Sequence, residues 1–349
     1  MKALSEKIVE LIENARVYVS KTANTTMVYT YFHIGKLIVE EMQKGEERAE
    51  YGANLLIQVS IDLKKKFTKG FSVPNLERMR IFYSIYSKSS NNLRNSDIFK
   101  KSSNSLRISL SKNKTINLLP LGWSHYLFLL RIDNEVERQF YEVESYKNQW
   151  KLKELERQFN SGLFERLSLS KNKDEIITLA KKGQIVEKPE DVIKDPLILE
   201  FLGLDDKPKY TETDLETAII NKIEDFMMEL GKGFFFGGRQ VRFTFDEEHF
   251  FVDLVFYNRL LKCFVLIDLK IGKLKHQDLG QMQMYVNYYD RYVKQEDENP
   301  SIGIIICKHK KETMVEITLP ENNKQLFASK YQTILPSKKE LKQIIENNL

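Results

Sequence analysis

Apolar positions in the first part of the chain recur at intervals of three and four residues. Ile8, Leu11, Ile12, Ala15 and Val19 make one such stripe, and Tyr31, Ile34, Leu37, Ile38 and Met42 another; this is the period of helices that bury one face. A charged break, KGEERAEYG, precedes a third apolar stretch from Leu55 to Phe67. The run Gly70-Phe71-Ser72-Val73-Pro74-Asn75 then leads into Leu76, Met79, Phe82 and Tyr83 at helical spacing. Ser72 suits an N-cap because its hydroxyl can accept from first-turn amides, and Pro74 is tolerated where an N–H would be unpaired anyway. A helix, a glycine-containing break and a second helix bearing Arg78 and Arg80 fit a helix-turn-helix. More plainly, they fit a small helical bundle with a solvated charged face.

From residue 87 to 117 the periodicity lapses into Ser, Asn and Lys, as expected of a solvated insert. Helical order resumes at LGWSHYLFLLRI and continues through 135–166, with Trp123 and Trp150 as packing anchors. A second polar stretch, 168–195, is the expected linker. Beyond it the pattern changes to a helix (DLETAIINKIEDFMMEL), three strands, another helix and the strand SIGIIIC. The expected organisation is a helical domain over 1–167 and an α/β domain over 196–349.

With 349 residues and 42% hydrophobic content the chain can bury two cores. A net charge of +5 is compatible with a nucleic-acid partner and decides little by itself. Cys263 and Cys307 lie in apolar runs with no CxxC spacing, and the five histidines (33, 125, 249, 276, 309) show no ligand spacing, so no zinc site is expected. The apolar runs are strand-length and the first residues lack a signal-peptide core, so neither a membrane span nor export is expected, and the expected location is cytoplasmic.

Three acids and a lysine stand out. Thr213 and Glu216 have capping-box spacing. Glu216 also heads the stripe of Ile220, Ile223 and Met227, so it is either a capping residue or an acid aimed at a site. In HFFVDLVFY, period two places Phe251, Asp253, Val255 and Tyr257 on one face and Phe250, Val252, Leu254 and Phe256 on the other. Both faces are apolar, so Asp253 is an acid inside a central strand, where an uncompensated carboxylate is strongly disfavoured. CFVLIDLK repeats the oddity, with Phe264, Leu266, Asp268 and Lys270 on one face. A reversal centred near residues 260 and 261 sets Asp253 across from Asp268, with Cβ atoms roughly 5 Å apart. Two such carboxylates repel unless a divalent cation lies between them, and hard oxygen donors favour Mg²⁺, which bridges to phosphate. Lys270 is placed to orient or deprotonate a water and to offset charge on a phosphoryl transition state. A structural ion pair would explain one acid and the lysine; an acid in each of two neighbouring strands points to catalysis. In the next helix Gln281 and Tyr285 share a face, and Gln281 can bond the lysine, a water or a phosphate.

Glu216, Asp253, Asp268-x-Lys270 and the QxxxY of Gln281 and Tyr285 resemble the PD-(D/E)xK nuclease superfamily. The stretches YFHIGKLIVEEMQKGEERAEYG, KGFSVPNLERMRIFY, LGWSHYLFLLRID, DPLILEFLGL, GRQVRF and VDLVFYNRLLKCFVLIDLKIGKL resemble, more narrowly, the bacterial YhcG-type nucleases. The resemblance implies a winged-helix-like DNA-binding N-terminal domain and a C-terminal α/β, restriction-endonuclease-like core, with a mixed sheet flanked by helices. It implies Mg²⁺-dependent phosphodiester hydrolysis, Mn²⁺ serving as substitute. Asp253 and Asp268 would be the metal ligands, Lys270 the water-positioning group, Glu216 the helix acid and Gln281 the polar partner from the following helix. Arg78, Arg80, Arg239 and Tyr285 are the expected nucleic-acid contacts. Val252 stands where the signature has proline, and Asp268 where relatives often carry the longer Glu. DNA is the expected partner, with a second copy of the chain, since cutting both strands usually takes two sites about a two-fold axis. A metal-dependent DNA endonuclease is therefore expected; a non-catalytic DNA-binding or scaffold protein, or a branched-DNA (Holliday junction) resolvase, are the alternatives on the same fold.

Overall fold

Contacts divide the chain into Met1–Glu156 and Arg157–Leu349. The computed structural model describes residues 23–43, 49–67, 69–88, 119–169, 171–204 and 210–336, without the side chains of 49–51 and 88. The stripe from Ile8 to Val19 and nearly all of the 87–117 insert lie outside the described residues.

Every described element of the N-terminal unit is a helix: 23–43, Ala49–Lys66, Val73–Lys88, Trp123–Leu129 and Glu135–Lys147. No wing strand is among the described residues of this unit. Val73–Lys88 begins directly after Ser72, with Pro74 in its first turn. Ile38, Leu56, Leu76 and Met79 form its buried centre, with Tyr31, Ile34, Val59, Leu63 and Trp123 packed around them. Residue 35 must be glycine for the first and third helices to approach, because a Cβ there would stand 2.0 Å from the Met79 carbonyl oxygen. Trp123 meets the rings of Tyr31 and Phe82 at 4.9 and 5.2 Å, the packing role expected of it.

In the C-terminal unit a six-stranded sheet runs β1-β6-β5-β4-β3-β2, with β1 Leu197–Ile198, β2 Phe234–Phe245, β3 Glu248–Asn258, β4 Cys263–Lys273, β5 Ile302–His309 and β6 Leu326–Gln332. β2, β3 and β4 are antiparallel neighbours, whereas β4, β5, β6 and β1 pair in parallel. Parallel neighbours need a crossover, and helix His276–Tyr292 supplies it between β4 and β5. Helices Glu212–Asn221 and Ile223–Leu230 bury Leu215, Ile219, Phe226 and Leu230 against Leu254, Phe256, Val265, Ile267 and Ile304. Helix His276–Tyr292 buries Leu279, Met282, Tyr285, Val286 and Tyr289 against Phe243, Val252, Val255, Leu266 and Ile305. At about 1.5–3 kcal/mol per buried large side chain, these two layers hold the sheet in place.

Residues 168–195, expected as a linker, contain the helix Lys173–Lys182, closed by a capping box between Asn172 and Glu175. Leu179, Ala180 and Val192 are buried, so this polar stretch includes an amphipathic element. Further on, Glu229 is completely buried and accepts from Arg166 at 2.7 Å, Arg157 at 3.2 Å and the Ile198 amide at 3.0 Å. Burial opposes its charge, but Arg166, Lys194 and Arg157 outweigh it and hold the carboxyl down to about 2. Among the described residues no helix is long and apolar enough to cross a membrane.

Candidate active site

Asn258 sets the reversal between β3 and β4: its side-chain oxygen accepts from the Leu260 and Leu261 amides at 3.0 and 3.2 Å. Pairing then runs from Asn258↔Cys263 to Leu254↔Ile267. One further step in this register sets Asp253 against Asp268, the expected juxtaposition. The ladder stops there, and Asp253 Oδ2 instead accepts from the Leu269 amide at 2.8 Å. The acids therefore sit at the fork where two strands part.

Regular alternation fails at the same point. Val252 packs beneath helix His276–Tyr292, while Leu254 packs beneath the helices on the opposite face; two residues apart in a regular strand they would share a face. The pairing of β2 with β3 also skips a step, between Arg239↔Leu254 and Val241↔Val252, leaving Gln240 across from Asp253. Gln240 has φ 47, a left-handed backbone that costs a residue other than glycine roughly 1–3 kcal/mol. Its amide donates to Glu216 Oε2 at 2.6 Å and to Asp253 Oδ1 at 2.9 Å.

Glu216 reaches this point because it is not a cap. Thr211 is the N-cap and Asp214 its box partner, with mutual bonds of 3.1 and 2.8 Å, two residues earlier than the expected Thr213 and Glu216. The expected single helix is interrupted at Lys222, so the buried stripe shifts to Leu215, Ile219, Phe226 and Leu230, and Ile220, Ile223 and Met227 are only partly buried. Glu216 itself is 5% exposed and paired with Arg239, which also donates to Thr217 Oγ1 at 3.1 Å.

Asp268 is buried, and burial pushes its carboxyl up to about 7; Lys270 opposes the rise and Asp253 adds to it. Lys270 Nζ stands 2.8 Å from Asp268 Oδ2 and 3.9 Å from Glu212 Oε2. For Lys270 burial works downward, but the Asp268 charge and contact outweigh it, so its pKa is raised and the ammonium stays charged at neutral pH. The Lys270 ammonium thus faces the buried Asp268 Oδ2 directly. A buried carboxylate oxygen of this kind, opposite a second carboxylate, fits a hard divalent cation held by Asp253 and Asp268. Among the described residues no cluster of three His, Cys, Asp or Glu side chains is gathered to hold a metal, and both Glu216 oxygens have partners.

Gln281 is on the next helix, but its amide donates to the Tyr285 hydroxyl rather than to Lys270. Tyr285, expected as a nucleic-acid contact, is 1% exposed and edge-on to Phe243 at 5.5 Å, a position in the core. In the other unit Arg78 is exposed and bonded to Asn75 at 3.0 Å, while Arg80 is clasped by Glu77 at 2.6 and 2.9 Å. Gln240 and Glu212 have no counterpart in the sequence expectation. Glu212 could have been suspected once Thr211 was recognised as the cap.

A mixed sheet flanked by helices, with two acids and a lysine where antiparallel strands part, defines a nuclease core of the PD-(D/E)xK class. Residues 190–346 match the model of the YhcG PDDEXK nuclease domain, and residues 7–166 that of the DUF1016 N-terminal domain. The chain belongs to the YhcG family of nucleases: it is 37% identical over 345 residues to "Putative nuclease YhcG" of Escherichia coli (strain K12), covering 97% of this chain and 92% of that protein. Two solved structures share a smaller part. A repair endonuclease from Pyrococcus abyssi matches 37% of this chain and 50% of its own at 18% identity and TM-score 0.24. An EndoMS–dsDNA2 complex matches 38% and 50% at 15% identity and TM-score 0.26. The chain thus spans about half of each of these two, and both likenesses are too slight to bear on the assignment.

Proposed function

We propose that this protein is a Mg²⁺-dependent DNA endonuclease, with Mn²⁺ as a substitute and the N-terminal helical unit supplying affinity for DNA. One observation carries the reading: Asp268 is buried at the fork opposite Asp253, whose two oxygens accept from Gln240 and the Leu269 amide, with the Lys270 ammonium 2.8 Å from Asp268 Oδ2. When bound, Mg²⁺ supplies Lewis acidity toward phosphate oxygens and makes water more acidic. Asp253 and Asp268 hold it, and the Leu269 amide and Gln240 orient Asp253. In hydrolysis water adds to phosphorus, the bond to the leaving oxygen breaks, and that oxygen takes a proton. Lys270 is charged and acts as a donor that orients the water and balances charge on the phosphoryl group, not as the base.

Exposed Lys64, Lys66, Lys69 and Arg78 support DNA affinity in the N-terminal unit, and their phosphate contacts would weaken steeply with salt. A pair of chains about a two-fold axis would cut both strands, which sedimentation with and without DNA checks. The test of the whole reading is a panel of linear, nicked and four-way DNA, with RNA beside it, incubated with Mg²⁺ or Mn²⁺. Cleavage of linear duplex is expected from the wild type; Asp253→Ala and Lys270→Ala are expected to lose it, roughly 10²–10³-fold or more, while still binding DNA. Cleavage unchanged in either variant refutes the site, and cleavage confined to four-way DNA makes the protein a resolvase.

A further inference from the structure

Glu216 is joined to Asp253 by a single nitrogen. Gln240 Nε2 lies 2.6 Å from Glu216 Oε2 and 2.9 Å from Asp253 Oδ1, so both N–H groups of the amide are engaged and occupy the space between the two acids. The other Glu216 oxygen is bonded to Arg239 Nε. Gln240 can make this bridge because its backbone is left-handed, φ 47, at the step where β2 and β3 do not pair. The two ends of the site therefore differ. Asp268 Oδ2 faces the Lys270 ammonium at 2.8 Å and no amide or guanidinium among the described residues, and each Asp253 oxygen has one donor and lone-pair capacity remaining. Glu216 is neutralised by a guanidinium and capped by an amide, so a cation there would have to displace both.

We infer that Arg239 and Gln240 are positioning residues that withhold Glu216 from coordination, so that the site takes one divalent cation, on Asp253 and Asp268. The inference rests on the metal-dependent reading above. The absence of a three-carboxylate cluster among the described residues agrees with it.

Titration of the full-length chain with Mn²⁺ alone, by calorimetry and by electron paramagnetic resonance of the free ion, tests it. The sites to count are those that disappear in Asp253→Asn. The wild type is expected to bind one ion. Glu216→Gln, which keeps the shape and removes the charge, is expected to leave the number of sites at one, with any loss of affinity inside the roughly 10–100-fold that an outer-shell partner is worth. The pair Arg239→Gln with Gln240→Gly, glycine suiting the left-handed backbone, is expected to release Glu216 and admit a second ion. Two ions in the wild type, disappearance of the site in Glu216→Gln, or a single ion in the double variant overturns the inference. Glu216→Gln carries the test should the double variant not fold. No Mn²⁺ bound by the wild type would instead overturn the metal-dependent reading itself.

Discussion

Replacing Asp268 by asparagine removes a charge that the metal-free fold holds at a cost. Burial raises the carboxyl from its ordinary 3.8 to about 7, and at about 1.4 kcal/mol per pH unit this amounts to about 4 kcal/mol. A folded-state pKa raised in this way gives stability that is complete below about pH 4 and lost as pH rises through about 7. The Lys270 attraction is already contained in that value, so asparagine, with no charge to lose, is expected to gain up to about 4 kcal/mol at pH 8. At about 2–4 °C per kcal/mol for a domain of this size, the melting temperature rises by up to roughly 16 °C. The assay is thermal unfolding of wild type and Asp268→Asn in chelator at a series of pH values from 4.5 to 8. The variant's advantage should be smallest near pH 4.5, grow toward pH 7 and then level off. Saturating Mg²⁺ should narrow the gap by stabilising the wild type alone, by about 2.7 kcal/mol at a hundredfold excess over Kd. A variant no more stable than wild type at pH 8, or an advantage that does not change with pH, would refute the reasoning.

Glu229→Gln should destabilise the C-terminal unit by about 3 kcal/mol at pH 7, because it strands Arg166 and Arg157. The carboxyl is held down to about 2, so its contribution is present above pH 4.5 and fades as pH falls toward 2; denaturant titrations at both ends should show the gap narrowing. Thr211→Ala should cost about 1 kcal/mol and Thr213→Ala less than about 0.5 kcal/mol, measured by urea unfolding, since only Thr211 caps the helix. Gly35→Ala should destabilise the N-terminal unit by about 1–3 kcal/mol or more, through its clash with the Met79 carbonyl; circular dichroism melts check it.

The closeness of Asp253, Asp268 and Lys270 was legible because its signal is local: charges interrupt apolar runs in two successive strands, and the reversal between the strands is short enough for its centre to be read off the chain. The mixed sheet followed from the change of period. Gln240 was not legible, since an ordinary residue in a left-handed conformation leaves no mark in the hydrophobic pattern. The cap was misplaced by two residues because TETD and TDLE offer the same spacing, and only packing distinguishes them. Tyr285 was misread because a tyrosine four residues from a glutamine suits either surface or core, and its neighbours Phe243 and Val286 settle it as core.

The turn between β3 and β4 has one further consequence. Connections at a surface ordinarily tolerate added or missing residues, yet here Arg259–Lys262 acts as a ruler for chemistry at the far end of the hairpin. Deleting one residue from it would slide β4 by a single place, bring an apolar side chain opposite Asp253 and turn Asp268 to the wrong face. The length of that connection is thereby under the same constraint as the acids themselves.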